Sequence, residues 1–421
     1  MFFNKMAEVS VPRFCKECNN CGVLLKFSYQ YCPQCGARAT EDFEDEYDER
    51  AVITHYFQSG FEYDRIVELL EKEHEIIMST RTLENRLKEY NFKRRGIYDE
   101  GRVRQRIAEI LYGPGCMGGY RSVWHALRME GIQVPRDAVE IIVKELDPEG
   151  CSLRKAKRLK RRKFRSHGPN YCWHVDGYDK LKPYGFPIHG GIDAWSRKIM
   201  WLKVCRSNNF PEISATFYLE CVAQHRGCPE KLRTVNGTEN GIMATMQCVF
   251  RDDPGSHLYG MSTANQRIEG WWSYLRRNRS TWWINFFKDL IETEDVSPGN
   301  ELQTECLWFC FSGVIQEDLD FVKDHWNTRT IRPSSSDTVA GKPDELFALP
   351  ENKGGEDKLQ PVLAEEIEFV AEHLLQFDEQ PNEYQEYFKY MLSNSDLQRS
   401  TNWTEALTLY RELLSIFEQN N

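Results

Sequence analysis

Four cysteines near the N-terminus have the spacing of a metal site. Residues 15–36 run CKECNNCGVLLKFSYQYCPQCG, in which Cys18/Cys21 and Cys32/Cys35 each close a CxxCG turn, with ten residues between the pairs. Zinc takes four thiolates at about 2.3 Å in a tetrahedral array, and a CxxC turn ending in glycine lets two sulfurs converge from one loop. Cys15 is a fifth thiol competing for a place. Chance pairing in a Cys-rich chain is the alternative, and the duplicated CxxCG argues against it. Such a zinc folds a ribbon too small to build its own core, so it implies no catalysis. Further on, His174 and Asp176 stand two apart in WHVDGY. On a strand they share a face, which suits either a His-containing metal site or, the better bet, a hydrogen-bonded framework histidine.

A second chemical feature is charge density. Arg154, Lys155, Lys157, Arg158, Lys160, Arg161, Arg162, Lys163 and Arg165 make nine basic residues in twelve positions. So dense a run repels itself unless it is solvated or lies on phosphate. DNA-backbone contact and a nuclear localisation signal combined in one segment are favoured over an idle linker. The net charge of −10 would oppose a polyanionic partner, but residues 351–421 hold 15 acidic and 5 basic residues and supply all of it. An acidic run also spans Glu41 to Glu49. Separate segments therefore suit separate partners.

Size and composition bound the rest. At 421 residues and 41% hydrophobic content the chain has room for two to four domains. No apolar run approaches the roughly 20 residues of a membrane span, and the first residues lack the regions of a signal peptide. A soluble, intracellular protein is expected, its 14 cysteines reduced or metal-bound.

The elements that must position this chemistry fall into groups. Apolar residues recur at helical spacing over Ala51–Phe57, Tyr63–Leu70 and Leu83–Tyr90, with a start signal at Ser79/Thr80. Three short helices, the last polar and basic, suit a helix-turn-helix as well as any small bundle. A second trio covers Val103–Leu111, Tyr120–Met129 and Arg136–Leu146. From Tyr171 the pattern turns to strands, YCWHVDGY, PIHGGIDAW and KIMWLKVC, followed by a helix over Pro211–Gln224 and the strand KLRTV. Three strands, helix, strand, helix is the order of a ribonuclease-H-like sheet.

HVDGYDKLKPYGFPIHGGIDAWSRKIMWL, RTVNGTEN, NQRIEGWW and WNTRTIRP together resemble the integrase core domain of transposon-derived proteins, in the retroviral-integrase and DDE-transposase superfamily. The resemblance runs from the helix-turn-helix region to about Pro350. It implies a divalent-metal site of Asp, Asp and Glu, on the first strand, after the fourth strand and on a later helix. Asp176 matches the first ligand and Glu269 the third. Two Mg or Mn ions about 3.5 to 4 Å apart need hard oxygen ligands, one ion serving the attacking hydroxyl and the other the leaving oxygen. The family pattern Arg-Thr-Asp-x-Gly-Thr-Glu-Asn here reads Arg233, Thr234, Val235, Asn236, Gly237, Thr238, Glu239, Asn240. Val235 offers neither oxygen nor charge. If one ion contributes about 4 kcal/mol at the transition state, its loss is roughly a thousandfold in rate. Asn236 is neutral and points away from the face of residue 235, Glu239 belongs to the pattern in its own right, and Asp179 and Asp193 suit turn caps. On a helix, Glu269 shares its face with Asn265, Trp272 and Arg276.

Arg276, Arg277 and Arg279 are read as phosphate contacts. Trp271, Trp272, Trp282 and Trp283 suit base stacking or core filling, and Cys306 and Cys310 suit buried thiols. The expected architecture is a zinc ribbon (1–40), a helix-turn-helix (41–98), a second, winged-helix-like helical domain (99–150), a basic linker (151–168), an α/β ribonuclease-H-like core (169–330), an extended arm (331–350) and an acidic helical tail (351–421). The expected function is that of a nuclear, integrase-derived DNA-binding protein with weak or lost strand transfer, using structural Zn and, in the core, Mg or Mn. An active integrase is the alternative, and a zinc-ribbon adaptor the third reading. DNA is the expected partner, with homo-oligomers implied by the resemblance and a protein partner for the tail.

Overall fold

The computed structural model describes residues 15–17, 24–26, 49–93, 98–115, 118–148, 151, 166–261, 265–333, 339–374, 382–395 and 397–420. Strands β1 (Cys15–Glu17) and β2 (Leu24–Lys26) form an antiparallel hairpin. Cys18, Cys21, Cys32 and Cys35 lie outside the described residues, as does the basic run from Arg154 to Arg165.

Helices α1 (Glu49–Gln58), α2 (Tyr63–His74) and α3 (Thr80–Glu89) close around Ile53, Phe57, Ile66, Leu70, Leu83 and Leu87. The start signal works as expected: Ser79 Oγ accepts the Thr82 N–H at 3.1 Å, satisfying a donor that the first turn of α3 leaves open. Helices α4 (Glu100–Tyr112), α5 (Tyr120–Met129) and α6 (Arg136–Leu146) bury Val103, Ile107, Val123, Leu127, Val139 and Val143 in a core of their own. No strand follows α6 before residue 172 among the described residues, so the wing of a winged helix is not seen there.

The central sheet is built from β3 (Cys172–Tyr178), β4 (Ile188–Asp193) and β5 (Ile199–Val204), then α7 (Pro211–His225), the short β6 (Gly227–Cys228) and β7 (Lys231–Val235). Helix α8 (Gly241–Arg251) leads to β8 (His257–Gly260). The strand order is β5-β4-β3-β7-β8, with the β3–β4 and β4–β5 pairs antiparallel and the β3–β7 and β7–β8 pairs parallel. That order and those directions fit a ribonuclease-H-like core.

Each face of the sheet has its own core. On one, α9 (Gln266–Leu275), a π-helical turn (Arg276–Ser280), α10 (Thr281–Glu292) and the long α11 (Glu301–Thr328) pack Trp271, Trp272, Leu275, Trp283, Phe287 and Phe311 against Tyr178, Ile188, Ile192 and Leu202. On the other, Trp173, Val175, Trp201 and Leu232 meet Tyr218 and Val222 of α7 and Met243 and Met246 of α8.

The C-terminal fifth departs from the expected arm and tail. Helix α12 (Pro343–Ala348) interrupts the arm, and Ala348 and Leu349 enter the core of the first helical trio. Strand β9 (Gln360–Pro361) pairs with β6, and α13 (Ala364–Leu374) lies against α7. Helices α14 (Glu383–Ser393) and α15 (Trp403–Asn420) are no solvated appendage: Phe388, Ala406, Leu409, Tyr410 and Leu413 are buried in the same core as α9. Acidic composition describes only their outer faces.

Candidate active site

Asp176 sits in β3 opposite Gly190 of β4. On its other flank β3 runs parallel to β7 with His174 beside Arg233. Two residues further along, β3 carries Asp176 and β7 ends at Val235, which pairs with Gly260 of β8. Alternation along a strand puts His174, Asp176, Arg233 and Val235 on one face, toward α9, while Trp173, Val175 and Leu232 enter the opposite core.

Helix α9 delivers Glu269 to this face. The residue capping it, Asn265, donates from Nδ2 to the Val175 carbonyl at 2.8 Å. Trp272 donates from Nε1 to Asp176 Oδ2 at 3.0 Å. Spacings of four and three put Asn265, Glu269 and Trp272 on one stripe of the helix, so the two bonds bracket Glu269 and hold it beside β3. Gly190 makes room for the indole: a Cβ there would come within 2.9 Å of Trp272 Cη2.

Burial dominates the electrostatics. It lifts Asp176 to about 7; the Trp272 and Gly177 donors oppose that rise, and the Glu269 charge adds to it. Burial likewise raises Glu269. His174 is fully buried and pushed down to about 3, first by desolvation and then by the charges of Arg233 and Arg267. It is therefore a neutral part of the framework that interacts with Asn265.

Among the described residues the neighbouring acids are engaged elsewhere, although the Asp179 charge also adds to the rise at Asp176. Asp179 accepts from Asn208 Nδ2 at 2.8 Å and from Lys182 at 3.4 Å. Asp193 is fully buried and caps the turn after β4, accepting the N–H groups of Asn170, Trp195 and Ser196 and the Ser196 hydroxyl. The Glu239 carboxylate folds back over Gly237 and accepts from Asn240 Nδ2 at 3.0 Å. Among the described residues, no group of three His, Cys, Asp or Glu side chains could hold a metal ion.

The aromatic and basic residues divide by burial. Trp271 and Trp283 are core, as are Cys306 and Cys310, and Trp282 is partly buried against them. Arg276 and Arg277 are exposed. Arg279 is not available for phosphate as expected: it pairs with Asp318 at 3.3 Å and lies over the Phe321 ring. The π-helical turn carries its side chain inward.

Residues 163–348 match the family model of the integrase core domain. This segment is similar to the integrase core domain. The match takes in Asp176, Val235 and Glu269 and ends with α12, so helices α13 to α15 lie beyond it. No curated protein matches the chain. Integrase cores usually use Mg or Mn, and two such ions need more oxygen donors than this core presents. Among the described residues Asp176 and Glu269 are the two acids left for a metal, β7 ends in a valine, and one Asp176 oxygen is engaged by Trp272. The donor set does not fit a two-ion centre.

The two carboxylates singled out in the sequence, Asp176 and Glu269, lie on one side of the sheet. Sequence reasoning missed the bond from Trp272 to Asp176 and the anchoring of Asn265, although their shared helical stripe was visible. The Gly190-Gly191 pair in β4 was the signal that a large ring crosses the sheet there.

Proposed function

We propose that this chain is an integrase-derived DNA-binding protein whose core does not perform strand transfer. One observation carries the reading: β7 ends in Val235, where the family pattern has an aspartate, and no third ligand joins Asp176 and Glu269 among the described residues. DNA is the partner that an integrase core implies, and the basic run and the exposed Arg276 and Arg277 supply the charge that phosphate binding draws on. The same basic run suits nuclear import. The four N-terminal cysteines are proposed to hold a structural zinc, and one zinc per chain, released by thiol modification, is the expected analytical result.

An active strand transferase is the competing reading, since the Asp176–Glu269 pair is intact. Purified chain, DNA ends and Mn2+ separate the two. The expected outcome is retarded DNA in a gel without joined products, from both the natural chain and Asp176→Ala. Robust joining by the natural chain, lost in Asp176→Ala, overturns the proposal.

A further inference from the structure

The sheet face away from Asp176 carries an apolar groove. Helix α8 lines one wall with Ile242, Met246, Val249 and Phe250, and α13 the other with Phe369 and Val370, enclosing about 450 Å³. Val249 is 60% exposed and Phe369 63%, so large apolar side chains stand in water on both walls. A contiguous apolar surface of this kind marks an interaction site more often than does a scattered exposed residue.

The rim identifies what would cover it. Glu365 and Glu366 line the groove, and Glu368 and Glu372 are exposed on the same helix. None of the four is in an ion pair among the described residues, and Arg251 at the end of the opposite wall donates to Gln360 instead. A partner seated here must offer apolar groups to the floor and positive charge to the rim. Two-fold pairing with a second copy would set this acidic rim against itself, which like-charge repulsion disfavours.

We propose that the groove between α8 and α13 docks an amphipathic helix from another protein, with apolar residues at i, i+4 and i+7 and lysine or arginine along its flanks. The groove and the Asp176 site lie on opposite faces of the sheet, so one molecule can hold DNA and this partner together. The proposal does not depend on the DNA reading.

A display library of helix-forming peptides, selected on the full-length chain, tests it. Val249→Glu with Phe369→Ser changes two exposed side chains and leaves the core intact, which circular dichroism verifies; Glu365→Lys with Glu366→Lys tests the rim. Enriched peptides should carry the apolar stripe with basic flanks, and anisotropy titration of one of them should show at least about tenfold weaker binding to each double variant. Three results overturn the proposal: no enrichment, enrichment without that pattern, or binding that survives Val249→Glu with Phe369→Ser. So does a dimer in sedimentation equilibrium that the same variant abolishes, which makes a second copy the occupant.

Discussion

Burial holds Asp176 protonated to about pH 7, against 3.8 for an exposed aspartate. Between those values the folded chain keeps a proton that the unfolded chain has lost, so this group's contribution to stability falls as pH rises through the window. Above it the cost is on the order of 4 kcal/mol. Asp176→Asn keeps an acceptor for Trp272 and removes the ionisation. It should melt higher than the natural chain at about pH 8, with the gain fading toward pH 4 in thermal melts. The arginines of the π-helical turn separate in the same way by their contacts. Arg276→Ala and Arg277→Ala should each weaken DNA binding uniformly across sequences and reduce the salt slope by about one. Arg279→Ala should leave that slope unchanged and lower the melting temperature, because it removes the ion-pair partner of Asp318 and leaves that carboxylate the Trp283 indole donor.

At the scale of elements, α9 is the piece that makes a site. It is fixed to β3 by Asn265 ahead of Glu269 and by Trp272 behind it. Gly190→Ala should push the indole out of place, since the new Cβ would also meet the Trp201 carbonyl at 3.3 Å. A loss of roughly 1–3 kcal/mol in denaturant melts, with a shift in tryptophan emission, is expected. The helices and strands that position the carboxylates were legible because their apolar residues repeat with the right period: KLRTV is β7 itself, and α5 and α6 match their predicted spans. Strand β8 was not legible. Its four residues, HLYG, hold no β-rich run, and only pairing with β7 makes them a strand.

Across the whole molecule, the C-terminal helices complete the core around the site. Removing residues 383–421 uncovers Trp282, Phe286 and Phe309, so the truncated chain should bind a hydrophobic dye and lose its cooperative thermal transition. A dispensable acidic tail would leave both readouts unchanged. The signal for their burial was present in the spacing of Ala406, Leu409, Tyr410 and Leu413 at three, four and seven residues. Net charge obscured it, because acidic residues crowd the outer faces of the same helices.

The bracketing of Glu269 by two hydrogen bonds has a historical consequence. A scaffold that keeps its acids in register through side-chain contacts asks nothing of a cation for its shape, so substitutions among the ligands escape purifying selection for foldability. At the end of β7 a branched alkyl group is better suited to an extended backbone than a carboxylate is. A valine at position 235 is therefore no burden on the strand that it ends.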